Sequence, residues 1–319
     1  MMKIGNFNRD YLDTIMGAEG YYDAYNSDAT ELKSSSALKI VNFRRSGVAT
    51  TTETVTNKDG STADLIFHWY EFSFIPSIGF LADSDPLLTD CELVLDFGRA
   101  KPEIAVIKTG EGDDLDFIEL KHVYAVTEYI SSPQLRSYFQ SIENNPIIYK
   151  YDNIEVITKQ LPLNDTVVRF DNMRGGSMPS YIFAGIIPTT SISGDYERSS
   201  TGFNWNGVEE FNMTLNGNSC NGFPIVVRRQ GSVIPLQKFN DVTGRLLNVE
   251  AGSGMTLTKF ADNFIWSHRF EAEQTANGWI GIDFKLRELL AFNASLVVWI
   301  VSPHALSLDK YHRVEQVRE

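Results

Sequence analysis

The chain has 319 residues, 43% of them hydrophobic and 22% charged; this is an ordinary globular composition that excludes a disordered chain and is enough for one large domain or two of roughly 150 residues. Lys plus Arg number 28 against 41 Asp plus Glu, a formal net charge of -13. That balance argues against a nucleic-acid-coating role, which needs basic side chains on phosphates; it is read as solubility and self-avoidance.

Residues 1–35 differ from the remainder. Tyr11, Leu12, Ile15 and Met16 could form one stripe on a short helix starting near Asn8, and a polar, Tyr-rich stretch from Gly20 to Ser36 follows. This is the pattern of an arm weakly fixed in the monomer. The opening MMKIGNFNRD has a lone Lys and no apolar h-region, so no signal peptide is expected. No apolar run approaches the ~18 residues of a membrane span; the longest candidate, Leu296 to Val301, is read as a buried strand.

Strand patterns then follow densely. Ala37 to Arg44 is one, and Val48 to Thr56 is Thr-rich and polar on both sides, as suits an edge strand. Asp64 to Ile75 places Leu65, Phe67 and Trp69 on one face and Ile66, Tyr70, Phe72 and Phe74 on the other, so both faces need cover. Thr89 to Phe97, Glu103 to Lys108 and Asp116 to Ile130 continue the series, separated by turns at 57–60, 83–86 and 110–114. Ser132 is placed as an N-cap with Pro133 at the first helical position. Leu135, Tyr138, Phe139 and Ile142 then form one apolar face, and Asn144-Asn145-Pro146 ends the helix.

Beyond that helix, Ile147, Tyr149 and Tyr151 alternate in one register and Ile154 and Val156 in the other, a slip that predicts a bulge at Asp152-Asn153. Further strands are expected at Thr166–Phe170, Ser180–Pro188, Glu209–Leu215, Pro224–Arg228, Gly278–Phe284 and Asn293–Val301, with helical turns near Leu257–Phe264 and Lys285–Ala291. Thr189 to Gly207 is a long loop carrying Tyr196, Phe203 and Trp205, and Asn216-Gly217 is a tight turn. No internal repeat or helix–strand alternation is present. The expected fold class is all-β, two jelly-roll sandwiches in tandem with a few short helices: an arm at 1–35, a first sandwich at 36–131, a linker helix at 132–146 and a second sandwich at 147–319.

Reactive chemistry is sparse. Cys91 and Cys220 lie far apart without a CxxC and are expected to be reduced thiols in an intracellular compartment. His68, His122, His268, His304 and His312 show no metal-ligand spacing, and His68 sits in an aromatic strand as a packing residue. The acidic run from Glu111 to Asp116 lacks calcium-loop spacing. Gly252-Ser253-Gly254 is not a nucleophile elbow, and no phosphate loop is met. The sequons at Asn164, Asn212 and Asn293 have no secretory context and are read as chance. Arg44-Arg45 and Arg228-Arg229 could contact phosphates as surface pairs, but inter-subunit ion pairs are the commoner explanation. Tyr196, Phe203 and Trp205 are candidate subunit contacts, as exposed aromatics often are. They could also stack on sugars, which leaves a carbohydrate-binding or glycoside-cleaving double β-sandwich as the rival reading; its carboxylate pair would be invisible in sequence.

Several blocks, in order, resemble one family: Trp69 to Phe97 (WYEFSFIPSIGFLADSDPLLTDCELVLDF), the Ser132–Asn145 helix leading into PIIYKYDNIEVITKQLP, then GDYERSSTGFNWNGVEEFNMTLNG, PIVVRR and LVVWIVSPHALSLDKYHRV. They resemble the double jelly-roll major capsid proteins of Polinton (Maverick)-type, adenovirus-lineage viruses and their endogenous copies. Gln230 to Thr275 departs from that pattern, and the chain is short for the group, so tower-like insertions are expected to be reduced. The resemblance implies a non-enzymatic capsid protein without cofactor, forming pseudo-hexagonal homotrimers that tile an icosahedral shell. It further implies contacts with neighbouring capsomers and with penton or minor capsid proteins, no specific nucleic-acid contact, and a place in the virion after assembly inside the host cell. A penton or minor capsid protein of the same virus type is the alternative within that resemblance.

Overall fold

A computed structural model describes residues 36–38, 44–56, 60–73, 106–108, 132–134, 146–195, 206–228, 233–242, 264–270, 277–309 and 313–317, and positions 94, 101, 124, 203, 260 and 311. The arm at 1–35, the expected strands at 89–97 and 116–130 apart from Val94 and Tyr124, and the body of the helix after Gln134 lie outside these residues.

In the first half, β1 (Ser36–Leu38) pairs antiparallel with β4 (Val106–Lys108), and β2 (Arg44–Thr56) with β3 (Thr62–Ser73). The β2–β3 hairpin turns at Gly60, whose φ of 82° suits a residue without a Cβ. Near the turn Thr54 donates to Asp64, its partner across the ladder, at 2.7 Å. Pro133 and Gln134 are helical, and the Ser132 hydroxyl accepts the Gln134 N–H at 3.1 Å, as an N-cap does.

The second half is a two-layer antiparallel sandwich. Its strands are β5 (Ile147–Gln160), β6 (Val167–Gly176), β7 (Tyr181–Pro188), β8 (Val208–Leu215), β9 (Asn218–Ser219), β10 (Ile225–Val226), β11 (Trp266–Arg269), β12 (Gly278–Leu286), β13 (Ala294–Leu308) and β14 (Val314–Val317). Two helices interrupt the series: α1 (Thr189–Ser193) follows β7, and α2 (Val233–Val242) follows β10. One sheet runs β5-β13-β7-β11 and the other β6-β12-β8-β10. With β9 and β14 set aside as additions, the eight strands in chain order lie 1-8-3-6 and 2-7-4-5. That order is the jelly roll, and it agrees with the all-β class expected from the sequence.

Strand pairing assigns the faces. Trp266 of β11 stacks on Phe211 of β8 at 3.8 Å between ring centres, so the face carrying Trp266, Ile182, Ala184, Ile186, Leu296, Val298 and Ile300 points at the other sheet. Opposite them stand Phe211, Met213, Ile280, Ile282 and Phe284, all buried. The β6-β12-β8-β10 sheet alternates: Asp283, Lys285, Glu210 and Asn212 point away from the core, as in a sheet with one wet face. The β7–β13 pair does not alternate. Residues 182–187 and 294–302 are buried throughout.

Several details differ from the sequence reading. No bulge occurs at Asp152-Asn153, because β5 pairs with β13 without a break from Ile147 to Gln160. The alternation changes phase there because the buried side changes: Ile147, Tyr149 and Tyr151 are buried on one face and Ile154 on the other. Lys285–Ala291 is not helical; β12 runs on through Leu286, whose side chain continues the inward period of Ile282 and Phe284, and a bend follows. Within Leu257–Phe264, Phe260 is helical. α2, β11 and β14 fall outside the expected elements, and β13 extends to Leu308. Pro303 is tolerated inside it because its main chain points to the side where the partner changes. There β7 ends opposite Val301 and β14 begins opposite Ala305. Asn216-Gly217 forms the expected tight turn, with φ of 52° and 81° between β8 and β9.

Candidate assembly surface

The outward face of the β7–β13 pair is apolar, and such a face is stable only when covered. Its residues are Phe183, Gly185 and Ile187 on β7 and Val297, Trp299 and Val301 on β13. The long connections after β7 and β10 supply the cover. Phe203, 0% exposed, meets Trp299 edge-to-face at 5.4 Å. It lies directly over Gly185, where an added Cβ would come within 2.5 Å of its ring. Phe239 of α2 meets Phe183 at 6.3 Å and Phe260 at 5.5 Å. Phe260 then meets Phe264 at 5.1 Å, and Phe264 meets Trp266 at 4.5 Å. This aromatic chain passes from the outer cover around edge strand β11 into the sandwich interior, with α2 packed along β11.

Main-chain bonds tie the cover down. The Phe264 N–H donates to the Phe203 carbonyl at 2.9 Å, the Asn206 amide donates to the Ile186 carbonyl at 2.8 Å, and the Arg287 N–H donates to the Gly207 carbonyl at 2.9 Å. Phe203 therefore departs from its expected role: it is an internal anchor of the loop, because the bare surface at Gly185 and Trp299 receives it. Tyr196 and Trp205, the other two candidate subunit contacts, lie outside the described residues.

The remaining polar groups sit around this core. At one end of the sandwich Arg174 donates to Ser302 at 2.8 Å and lies 3.8 Å from Glu155, and Tyr181 donates to Asp152 at 2.8 Å. Burial lowers the pKa of His304, and Arg174 lowers it further. His268, paired with Ile182 on the inward face of β11, is buried against Phe270 at 4.9 Å, with its Nδ1 lacking a hydrogen-bond partner. Burial, reinforced by Lys238 and opposed by Asp241, pushes it down to about 4. Burial also pushes the Cys220 thiol up to about 11, so it is a protonated, weakly nucleophilic group. Among the described residues no group of three or more His, Cys, Asp and Glu could hold a metal ion, and no helix is long and apolar enough to cross a membrane. His122, His312, Cys91, Arg229, the acidic run at 111–116 and Gly252–Gly254 lie outside them. The side chain of His68, in β3, does as well. Sequence reasoning did not single out Arg174 or the buried state of His268; only the alternation in Trp266-Ser267-His268 could have placed that imidazole on an inward face.

No protein-family model matches the chain, and no curated protein sequence does. Among solved structures it is similar to the mavirus major capsid protein, with 12% identity and a TM-score of 0.45 over 84% of this chain and 62% of that one. It is similar to the Sputnik virophage structure, with 12% identity and a TM-score of 0.40 over 84% and 58%. It is also similar to the capsid of PBCV-1 virus, with 10% identity and a TM-score of 0.37 over 59% and 55%. The chain thus matches little more than half the length of these proteins. The likeness is one of fold alone.

Two outcomes follow from this geometry. Gly185→Ala is expected to lower the unfolding free energy by about 1–3 kcal/mol, since the fully buried Phe203 ring, packed on Trp299, must shift; the double variant with Phe203→Leu should recover part of that loss in urea titrations. For His268, the unfolded imidazole takes up its proton near pH 6.5 and the folded one near pH 4. Its contribution is therefore fully present above about pH 6.5 and is lost as pH falls toward 4. His268→Leu should remove roughly 3 kcal/mol of the acid-induced loss across that window, measured as the difference between the two proteins' urea midpoints at each pH.

Proposed function

We propose that this chain is a structural capsid protein, a major capsid protein that forms pseudo-hexagonal homotrimers and tiles an icosahedral shell. The observation that carries the reading is the jelly-roll strand order of the second half, joined to sequence blocks that resemble the double jelly-roll capsid family in order and spacing. A second sandwich at 36–131, linked through 132–146, completes the building block. The antiparallel pairs β1–β4 and β2–β3 and the capped helical start at Ser132 support that division. Three two-sandwich subunits around a threefold axis present six similar blocks, which is the shape a flat hexagonal lattice needs.

In this reading the protein's partners are its own copies, neighbouring capsomers and penton or minor capsid proteins. It performs no catalysis, needs no cofactor, makes no specific nucleic-acid contact and resides in the virion. Tyr196 and Trp205 are proposed as contacts to a neighbouring subunit, on the same loop that Phe203 fastens to its own sandwich.

The purified protein is expected to have a mass near three copies of 35.9 kDa, about 108 kDa, by light scattering, and to form sheets or shells under negative stain. A stable monomer that forms no larger particle at any ionic strength would sink the reading. Trp205→Ala and Tyr196→Ala should shift the mass toward the monomer without lowering its thermal midpoint, whereas Phe203→Ala should lower the midpoint first.

A further inference from the structure

On the wet face of the β6-β12-β8-β10 sheet one aromatic ring stands out. Trp279 of β12 points away from the core, 46% exposed, while its neighbours Ile280 and Ile282 are fully buried. Its backbone is fixed: Asn216 accepts the Trp279 N–H on its side-chain oxygen at 2.9 Å and donates its own N–H to the Trp279 carbonyl at 2.9 Å. Gly278 is required for this seat, since a Cβ there would fall 2.5 Å from that same oxygen. Across the ladder on β6 its partner is Gly175, so β6 sets no side chain directly beside the ring on that flank.

Along the strand from Trp279 the surface is polar. Gly281 is a buried floor, over which the Thr214 hydroxyl and the carbonyls of Phe170 and Asp171 converge; a Cβ there would meet them at 2.5, 3.1 and 3.3 Å. The β6 pairing skips from Arg174 to Phe170 at this point and carries Asp171 and Asn172 to the surface. Two residues further along, Arg169 lies 3.3 Å from Asp283, and Ser219 donates to Asn212 at 2.6 Å.

We infer that this strip is a binding site for an uncharged pyranose of a short oligosaccharide, with Trp279 as the stacking platform and the Thr214–Asp283 row as partners for its hydroxyls. An aromatic ring takes the apolar C–H face of a sugar, and planar amide, carboxylate and guanidinium groups match vicinal hydroxyls. Anionic sugars are disfavoured by Asp171 and Asp283 in a chain of net charge -13. A protein partner fits less well. The exposed Val167 and Val226 pair with Lys285 and with Glu210, which itself pairs with Lys285, so they lie at the far end of the face, about 20 Å along β12 from Trp279. Among the described residues, neither valine gives the ring the apolar surround that a protein anchor uses.

The test is saturation-transfer difference NMR and calorimetry on the full chain with cellotriose, maltotriose and chitotriose. Transfer to the ring C–H protons of at least one of them is expected. Affinity should fall at least about tenfold, ~1.4 kcal/mol, in Trp279→Ala, and should be largely kept in Trp279→Tyr. Asp283→Ala should also weaken binding, with circular dichroism checking that each variant is folded. Absence of transfer with all three sugars overturns the proposal, as does an unchanged affinity in Trp279→Ala. A change in the mass of the assembled species in Trp279→Ala without any sugar signal also overturns it, and assigns the ring to a subunit contact.

Discussion

The constraint on which the second sandwich depends is that the β7–β13 pair is apolar on both faces. A two-layer sandwich can cover only one of them. The other must be covered by the chain's own connections, and this fixes where Phe203, Phe239 and Phe260 have to be. The long connections after β7 and β10 are therefore structural layers as much as loops. Trp299 shows the consequence: it is fully buried although it points away from the facing sheet.

That cover also handles the sheet edge. β11 is short and terminal in its sheet, a position that invites pairing with another chain. The aromatic run from Phe239 through Phe264 to Trp266 bends around it, and α2 packs along it. The edge is thus shielded by side chains. The opposite sheet needs no such layer, because its outward face is largely polar, with pairs such as Lys285–Glu209 and Arg169–Asp283, and among the described residues carries only the isolated apolar side chains Trp279, Val167 and Val226. One sheet is built to be enclosed and the other to meet water.

Strands with a strong period of their own were legible in the sequence. The β7 segment, bounded by Pro179 and Pro188, and the β8 segment, ending in Asn216-Gly217, have nearly the expected bounds. β11 was not legible, since four residues of Trp-Ser-His-Arg carry too little period to be distinguished from a loop, and β14 fails for the same reason. α2 was hidden because its buried residues are only Pro235 and Phe239, too few to draw an apolar stripe. The phase change in β5 looked like a bulge because sequence reports which residues are apolar, not which side is covered. Phe203 was the most instructive case. An aromatic among Ser, Thr and Gly is indistinguishable from a surface anchor until its receptor is seen. That receptor is Gly185, which is silent in any hydrophobicity pattern.

The position of Phe203 also bears on what the rest of its loop can do. A connection of this length would lose much conformational freedom on binding a neighbour if it were free at both ends. Here it leaves β7 through α1, which is pinned by the Thr189–Ser295 hydroxyl pair, and it returns to β8 through Asn206 bonded to Ile186. Phe203 divides the span between these ties with a buried ring. Each remaining segment is short, so the entropy lost when it packs against a second subunit is correspondingly small. Tying the middle of the loop to its own sandwich is therefore compatible with, and favourable to, presenting the flanking residues to a neighbour. The same burial removes Phe203 from the surface and leaves Tyr196 and Trp205 as the loop's proposed contacts.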